Sequence, residues 1–320
     1  MKETLNQPSY DLIGDIHGYA EPLKRLLNLL GYKKTGDSFR HSEGRKVIFL
    51  GDFIDRGPAI RETLQIVKSM VDADQALAVM GNHEYNAICY HTPDGNGDHL
   101  RSRTANKGKN EKQHRATLDA FSSDPAEWDQ WITWFKELPF FLDLGNLRAV
   151  HASWNDDAAK VVGGQSLNDP RFLQKSATEG TVEFSAVETL LKGVEVSLPE
   201  GSHHEDKEGF KRDKMRVKWW HSPVGKTFRE VGMPYSESIP SAMIPKETYS
   251  GWQPYSENEP PVFVGHYWMP GDWTPEPLAS NVACLDYSVA KDGALTAYRW
   301  DREREIDPAK FVQVRADVAP

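Results

Sequence analysis

Five short apolar runs recur along the chain, and each stops on a polar side chain. They are YDLIGD at 10–15, KVIFLGD at 46–52, ALAVMGN at 76–82, LRAVHA at 147–152 and PVFVGH at 261–266. Their length and their β-branched and aromatic content predict β-strands. In four of the five a glycine stands just before the polar residue, and in LRAVHA the histidine follows Val150 directly. Helical periodicity follows the first three. Leu23, Leu26, Leu27 and Leu30 fall at i, i+3, i+4 and i+7, with Gly31 as a stop. Ile60, Leu64, Val67 and Val71 form a second stripe behind Pro58, and YNAICY continues from Asn82-His83-Glu84. Strand, polar turn and helix repeated three times predict an α/β fold with a βαβαβ unit of parallel strands. The carboxyl ends of such strands open on one crevice, so five polar termini are expected to converge there.

The remaining segments read differently. Residues 86–130 carry a basic cluster (Arg101, Arg103, Lys107, Lys109, Lys112, Arg115) and then a Trp-rich helix around WDQWITWF, which Pro139 should end. Residues 160–260 mix Pro, Gly and charge, as in GSHHEDKEGFKRDK, and predict a peripheral insertion with surface loops. NVACLDYS and ALTAYRW predict late strands joined by an Asp292-Gly293 hairpin. One domain over 1–305 with a surface tail over 306–320 is the expected organisation.

Composition narrows the function. Hydrophobic residues make up 39% of 320, with 10 Trp and 13 Phe, enough for a large core. With 38 basic and 47 acidic residues the net charge is −9, which disfavours general nucleic-acid binding. It leaves room for a small phosphorylated substrate, because a bound metal inverts the local field. The basic cluster at 101–115 reads as a solvated helix face before an RNA patch. Two cysteines in unrelated contexts, no apolar run of membrane-spanning length and no leader-like pattern in MKETLNQPSY predict a soluble cytoplasmic protein.

The strand-end residues form a ligand set. Asp15 and His17 sit two apart, and Asp52, Asn82, His151 and His266 each end another run. Three oxygen and three imidazole donors without a thiolate suit manganese first, or iron or zinc. Six donors exceed one tetrahedral shell. With Asp52 as a bridge they make two sites: Asp15, His17 and Asp52 for one metal, and Asp52, Asn82, His151 and His266 for the other.

The series GDIHG, GDFIDRGP, GNHE, a lone His after an apolar strand and a late GH resembles the calcineurin-like metallophosphoesterases. DRGP and GNHE resemble the phosphoprotein phosphatase branch and the bacterial diadenosine tetraphosphatases related to it, and CLDYSVAKDGALTAYR resembles the late strand pair of the latter. The resemblance covers residues 10–90, 140–155 and 261–300. It implies a four-layer αββα sandwich and two divalent or trivalent metal ions. It also implies in-line attack on phosphorus by a hydroxide bridging the metals, with no phospho-enzyme. By the same resemblance His83 is the general acid, Asp55 holds it as an imidazolium, and Arg56 binds substrate phosphate bidentately. Glu84 is expected to support the site or the helix start rather than to react.

One departure is informative. Many diester-cleaving relatives carry a second histidine two residues after the GH histidine, where this chain has Trp268. That favours the phosphatase and tetraphosphatase branch over nucleases. A further phosphate-binding arginine has no motif here, and Arg216 and Lys218, beside Trp219-Trp220-His221, are the candidates. The leading expectation is a phosphomonoesterase acting on phosphoprotein Ser/Thr or Tyr phosphate, and the alternative is a dinucleoside polyphosphate hydrolase. Trp219 and Trp220 would offer the latter a stacking surface for adenine. A catalytically dead scaffold predicts a missing ligand, and none is missing.

Overall fold

All five apolar runs form strands, but they divide between two sheets. The computed structural model describes residues 9–205, 211–233, 236–249 and 252–316, with only the backbone at 105–107 and 205. The predicted unit is β1 (Tyr10–Ile13), α1 (Ala20–Leu29), β4 (Lys46–Phe49), α2 (Ile60–Asp72), β5 (Ala76–Ala78) and α3 (Asn82–His91). β1, β4 and β5 are parallel, with Leu12 opposite Ile48 and Ile48 opposite Leu77. Between α1 and β4 lies a hairpin, β2 (Tyr32–Thr35) and β3 (Ser38–His41), that the apolar pattern did not announce. Its strands bury Tyr32, Phe39 and His41 and leave most other positions exposed, so they carry no apolar run.

The second sheet begins after α4 (Ala105–Phe121) and α5 (Pro125–Phe135). It starts with β6 (Phe141–Asp143) and β7 (Arg148–Val150), which are antiparallel. Three helices follow: α6 (Asp156–Val162), α7 (Pro170–Ser176) and α8 (Val182–Lys192). Two short antiparallel pairs come next, β8 (Glu195–Ser197) with β11 (Lys214–Arg216) and β9 (His204–Glu205) with β10 (Lys211–Arg212). β12 (Val262–Val264) then runs parallel to both β7 and β13 (Val282–Cys284). At Leu285 the chain crosses back to the first sheet as β14 (Asp286–Tyr287) and β15 (Ala294–Trp300), which pairs antiparallel with β1. NVACLDYS is therefore two strands in two sheets. The Asp292-Gly293 turn is present, with Tyr287 opposite Ala294 and Asp292 at φ 60°.

Strand alternation builds the layers. Leu12, Ile48, Ala149, Phe263 and Ala283 meet in one buried cluster between the sheets. Their neighbours Ile13, Phe49, Val150, Val264 and Cys284 belong instead to the cluster that contains the helices. α1 and α2 cover the first sheet with Leu23, Leu26, Leu27, Leu64 and Val67. α8 contributes Val187, Leu190 and Leu191, and its Leu190 carbonyl accepts from Ala152 N–H just after β7. The result is helices, sheet, sheet, helices.

Three expectations change. Residues 156–192 are not peripheral loops, because three helices there join the main core. Farther on, Val196, Met215, Val217, Phe228 and Ile244 form a separate small cluster. The segment 311–315 is not a surface tail: β16 (Phe311–Arg315) adds an edge strand to β15, with Leu295 opposite Val314. Residues 317–320, and residues 1–8 where no leader-like pattern was read, lie outside the described residues. The basic cluster is not one solvated face. Arg101 bonds to Asn86 and Gln113, Arg103 lies over Tyr90 at 4.7 Å, and only Lys112 and Arg115 of the described side chains are exposed. No helix among the described residues is long and apolar enough to cross a membrane.

Phe263 is fully buried where the two sheets meet. Phe263→Ala is expected to lower unfolding free energy by about 3–5 kcal/mol, read as a shifted denaturant midpoint at unchanged slope.

Candidate metal centre

The strand-end residues do converge, from both sheets. β1, β4 and β5 deliver Asp15, His17, Asp52 and Asn82, and β7 and β12 deliver His151 and His266. The glycines ahead of them are there for close approach. A Cβ at Gly81 would lie 2.2 Å from the Asp52 amide and carboxylate, and one at Gly265 would lie 2.0 Å from Asp15 Oδ1. The turns are strained. His17, Asp52, Asp55, Arg56, His266 and Trp268 have φ of 48°, 53°, 68°, 68°, 71° and 53°. Non-glycine residues pay about 1–3 kcal/mol each for this region, and such outliers gather at functional sites.

Glu84 holds one of these turns in place. It is fully buried, and its carboxylate accepts from the amides of Asp52 at 2.9 Å, Phe53 at 2.8 Å and Gly81 at 3.0 Å. It thus supports the Asp52 loop and caps α3 together. Burial, then the nearby Asp52 charge, pushes its carboxyl up to about 7.

Two candidate ligand groups share Asp52: His17, Asp52 and His83, and Asp52, His151 and His266, with donor atoms within 4.8 Å of one another in each. Asp52 Oδ2 lies 3.6 Å from His17 Nε2, and Oδ1 lies 3.4 Å from His151 Nε2. Asn82 Oδ1 lies 3.0 Å from His151 Nε2 and 2.7 Å from His266 Nδ1. Asp15 is buried beside the second group, accepting the His266 amide at 3.2 Å, and does not fall inside either tight group. His17 Nδ1 donates to Ile54 O at 2.9 Å, and His151 Nδ1 to Leu50 O at 2.7 Å. These bonds turn both Nε2 lone pairs toward Asp52, as metal-binding histidines require. His17 Nε2 is buried and has no hydrogen-bond partner among the described residues. A cation fits that position better than any group in the chain.

The field agrees. Burial and the His83 neighbour push His17 down to about 3, and burial and Arg216 hold His266 well below its usual range, so both offer neutral nitrogens. Burial raises the Asp52 carboxyl, but the surrounding histidines more than offset this and hold it ionised. Asp15 goes the other way, raised by burial and by Asp286.

Beside this centre His83 Nε2 lies 3.9 Å from Asp52 Oδ2, while its Nδ1 donates to Asp55 Oδ2 at 2.5 Å. Arg56 stacks on Trp268 at 4.0 Å, and its Nε is buried without a hydrogen-bond partner among the described residues. The Trp268 ring lies 6.4 Å from that of His17. Of the two downstream candidates, Arg216 is close enough to depress His266, whereas Lys218 donates to the Glu230 carbonyl away from the site. Trp219 and Trp220 are 2% and 5% exposed and pack in the core, so they offer no stacking surface. Sequence reasoning missed Asp286, His114, Thr117 and Lys291. Asp286 orients the loop through the Trp268 amide at 2.6 Å, and Lys291 Nζ lies 4.7 Å from the Trp268 ring centroid. His114, Thr117 and Lys291 end no apolar strand, which was the signal that found the rest, whereas Asp286 does follow the apolar run VACL and was passed over.

The chain belongs to the calcineurin-like phosphoesterases, whose family model matches residues 9–227. That family uses a dinuclear metal centre, and the donor set above fits one. The chain is 42% identical over 74 residues to the asymmetrical bis(5'-nucleosyl)-tetraphosphatase PrpE of Halalkalibacterium halodurans, covering 23% of this chain and 30% of that one. It is 29% identical over 130 residues to the symmetrical bis(5'-nucleosyl)-tetraphosphatase of Psychromonas ingrahamii, covering 41% of this chain and 38% of that one. The chain thus spans well under half the length of these relatives. Among solved structures it is similar to the cold-active protein-tyrosine phosphatase of a psychrophilic Shewanella species, with TM-score 0.44 and 15% identity over 93% of this chain and 80% of that one.

His151 titrates upward, to about 10: burial works against its charge, but the Asp52 carboxylate more than compensates. The stability tied to a raised group is complete below the ordinary value of 6.5 and is lost as pH climbs through the folded value. Chelator-treated protein is therefore expected to lose thermal stability between about pH 6.5 and 10, while metal-loaded protein keeps it, the cation having displaced the proton. Melting temperatures measured across that range with and without chelator check this; parallel curves would refute it.

Proposed function

We propose that this phosphoesterase hydrolyses phosphate monoesters of the phosphoprotein type, on Ser/Thr or Tyr side chains. The observation behind the reading is that one carboxylate, Asp52, belongs to two donor groups with His83 at its edge. In this reading Asp15, His17 and Asp52 hold one cation, and Asp52, Asn82, His151 and His266 hold the other. When bound, such cations would supply Lewis-acid stabilisation of the phosphoryl oxygens and a water made acidic enough to attack.

The chain's own residues do the rest. Arg56, pinned by Trp268, presents its guanidinium to the phosphate, and Arg216 supplies a second from the His266 side. His83 carries a proton on Nε2 and passes it to the leaving oxygen as the P–O bond breaks, ending neutral. Asp55 supports that protonated state. Burial pushes its carboxyl up, but the hydrogen bonds from His114 and His83 more than offset this and hold it well below the usual range. The free, buried Cys89 and Cys284 fit a reducing, cytoplasmic setting.

A dinucleoside polyphosphate substrate is the second reading. Arg56 at 4.0 Å and Lys291 at 4.7 Å both lie against the Trp268 ring, which places two cations around one aromatic side chain near the centre. Such a cluster suits a chain of phosphates. Turnover of a phosphopeptide and of diadenosine tetraphosphate by one preparation separates the readings. A higher kcat/KM for the phosphopeptide supports the first. The reverse, together with a selective loss in Lys291→Ala, supports the second.

His83→Ala is expected to retain its metals and lose ~10²–10⁴-fold in kcat on alkyl phosphates, and far less on aryl phosphates with good leaving groups. An equal loss on both would remove His83 from the acid role.

A further inference from the structure

The segment 86–130 reads as a basic surface in the sequence, yet α4 buries polar residues on its inner face. His114 is 5% exposed and Thr117 is fully buried, with Phe121 one turn farther along the same stripe, while Lys112, Arg115 and Asp119 face solvent. At these positions an amphipathic helix ordinarily places aliphatic side chains. What they meet is Asp55. His114 Nδ1 donates to Asp55 Oδ1 at 2.8 Å, and Thr117 Oγ1 donates to the same oxygen at 2.5 Å. In return Thr117 Oγ1 accepts the Asp55 amide at 3.0 Å. The other carboxylate oxygen is left for His83.

We propose that His114 and Thr117 are positioning residues that hold Asp55, and through it His83, in the geometry for proton transfer. The inference rests on the general-acid reading of His83. Asp55 needs such support because its own backbone is strained, at φ 68°, in a turn between β4 and α2. A buried carboxylate with a single donor would be free to rotate or to take up other partners. Three donors on two oxygens leave it one orientation. His114 is itself fixed. Its ring is boxed in by Tyr90, His91 and Trp128 at centroid distances of 5.4, 5.6 and 5.7 Å. His91 is in turn set by Trp128 Nε1, which donates to its Nε2 at 3.0 Å. The dyad Asp55–His83 is thus the inner end of a packed array that α4 and α5 carry in from residues some 60 positions away, 59 for His114 and 62 for Thr117.

The test measures kcat and KM on a series of aryl and alkyl phosphate monoesters for His83→Ala, His114→Ala, His114→Asn, Thr117→Val and Thr117→Ser in the full, metal-loaded chain. Metal content is measured alongside, as is the downfield imidazole N–H proton resonance of the His83–Asp55 bond. His114→Ala and Thr117→Val are expected to lose about 10–100-fold in kcat on poor leaving groups and little on good ones, with KM and metal content unchanged. The N–H resonance should shift or broaden, and His114→Asn and Thr117→Ser, which keep a donor at the same branch, should recover most of the rate. A uniform loss across leaving groups, a loss of metal, or no loss while His83→Ala does show leaving-group dependence would overturn the inference and leave the general acid standing. If His83→Ala shows no such dependence, the acid reading fails and this one with it. Should His114→Ala not fold, the Asn and Thr117 variants carry the same comparison.

Discussion

The centre depends on a single carboxylate being held where two sheets meet. Asp52 stands at the end of β4 and faces His17 on one oxygen and His151 on the other. Bringing that many donors around an ionised, buried group is unfavourable unless cations or histidine protons repay the lost hydration. The rest of the site can be read as the means of keeping Asp52 in place. Glu84 grips the backbone of its loop, and Gly81 lets α3 start against it. The His151 ring is anchored by Leu50 O, on the strand that leads to Asp52 itself. Histidines on different sheets are thereby tied to one loop.

Strain follows from the same demand. Six non-glycine residues at the centre, among them Asp52, Asp55 and Arg56, occupy left-handed backbone. A chain leaving a strand must turn sharply to point consecutive side chains inward, and only a well-packed frame tolerates several such turns together. The inter-sheet layer of Leu12, Ile48 and Phe263 and the helices outside it supply that frame. Stability in the core and strain at the rim are two sides of one arrangement.

The inserted helices make the same connection from another direction. Phe121 of α4 and Trp128 of α5 join Tyr90 and His91 of α3 in an aromatic cluster around His114, which bonds Asp55. What composition suggests is a basic patch is in the folded chain a helix that packs His114 and Thr117 against Asp55, the partner of His83. Its charges are partly spent on internal bonds, as with Arg101 to Asn86 and Gln113.

Local sequence determined a good deal. Strand-length apolar runs ending in Asp, Asn or His marked β1, β4, β5, β7 and β12 and picked out the donors at their ends, because an apolar run and the polar residue that ends it are local features of the sequence. Leucine spacing marked α1 and α2 for the same reason. Tertiary structure alone decided the rest. The division of five strands between two sheets, and the crossing at Leu285, depend on which faces pair, and an apolar run pairs equally well with several partners. β16 was hidden because an edge strand needs only half-buried residues. His114, Thr117, Trp268 and Lys291 lie far along the chain from the residues they meet, and nothing in their own neighbourhoods records that meeting. A hydrogen bond between residues 55 and 114 exists only after the helices have packed, so it is a property of the fold and not of any stretch of sequence.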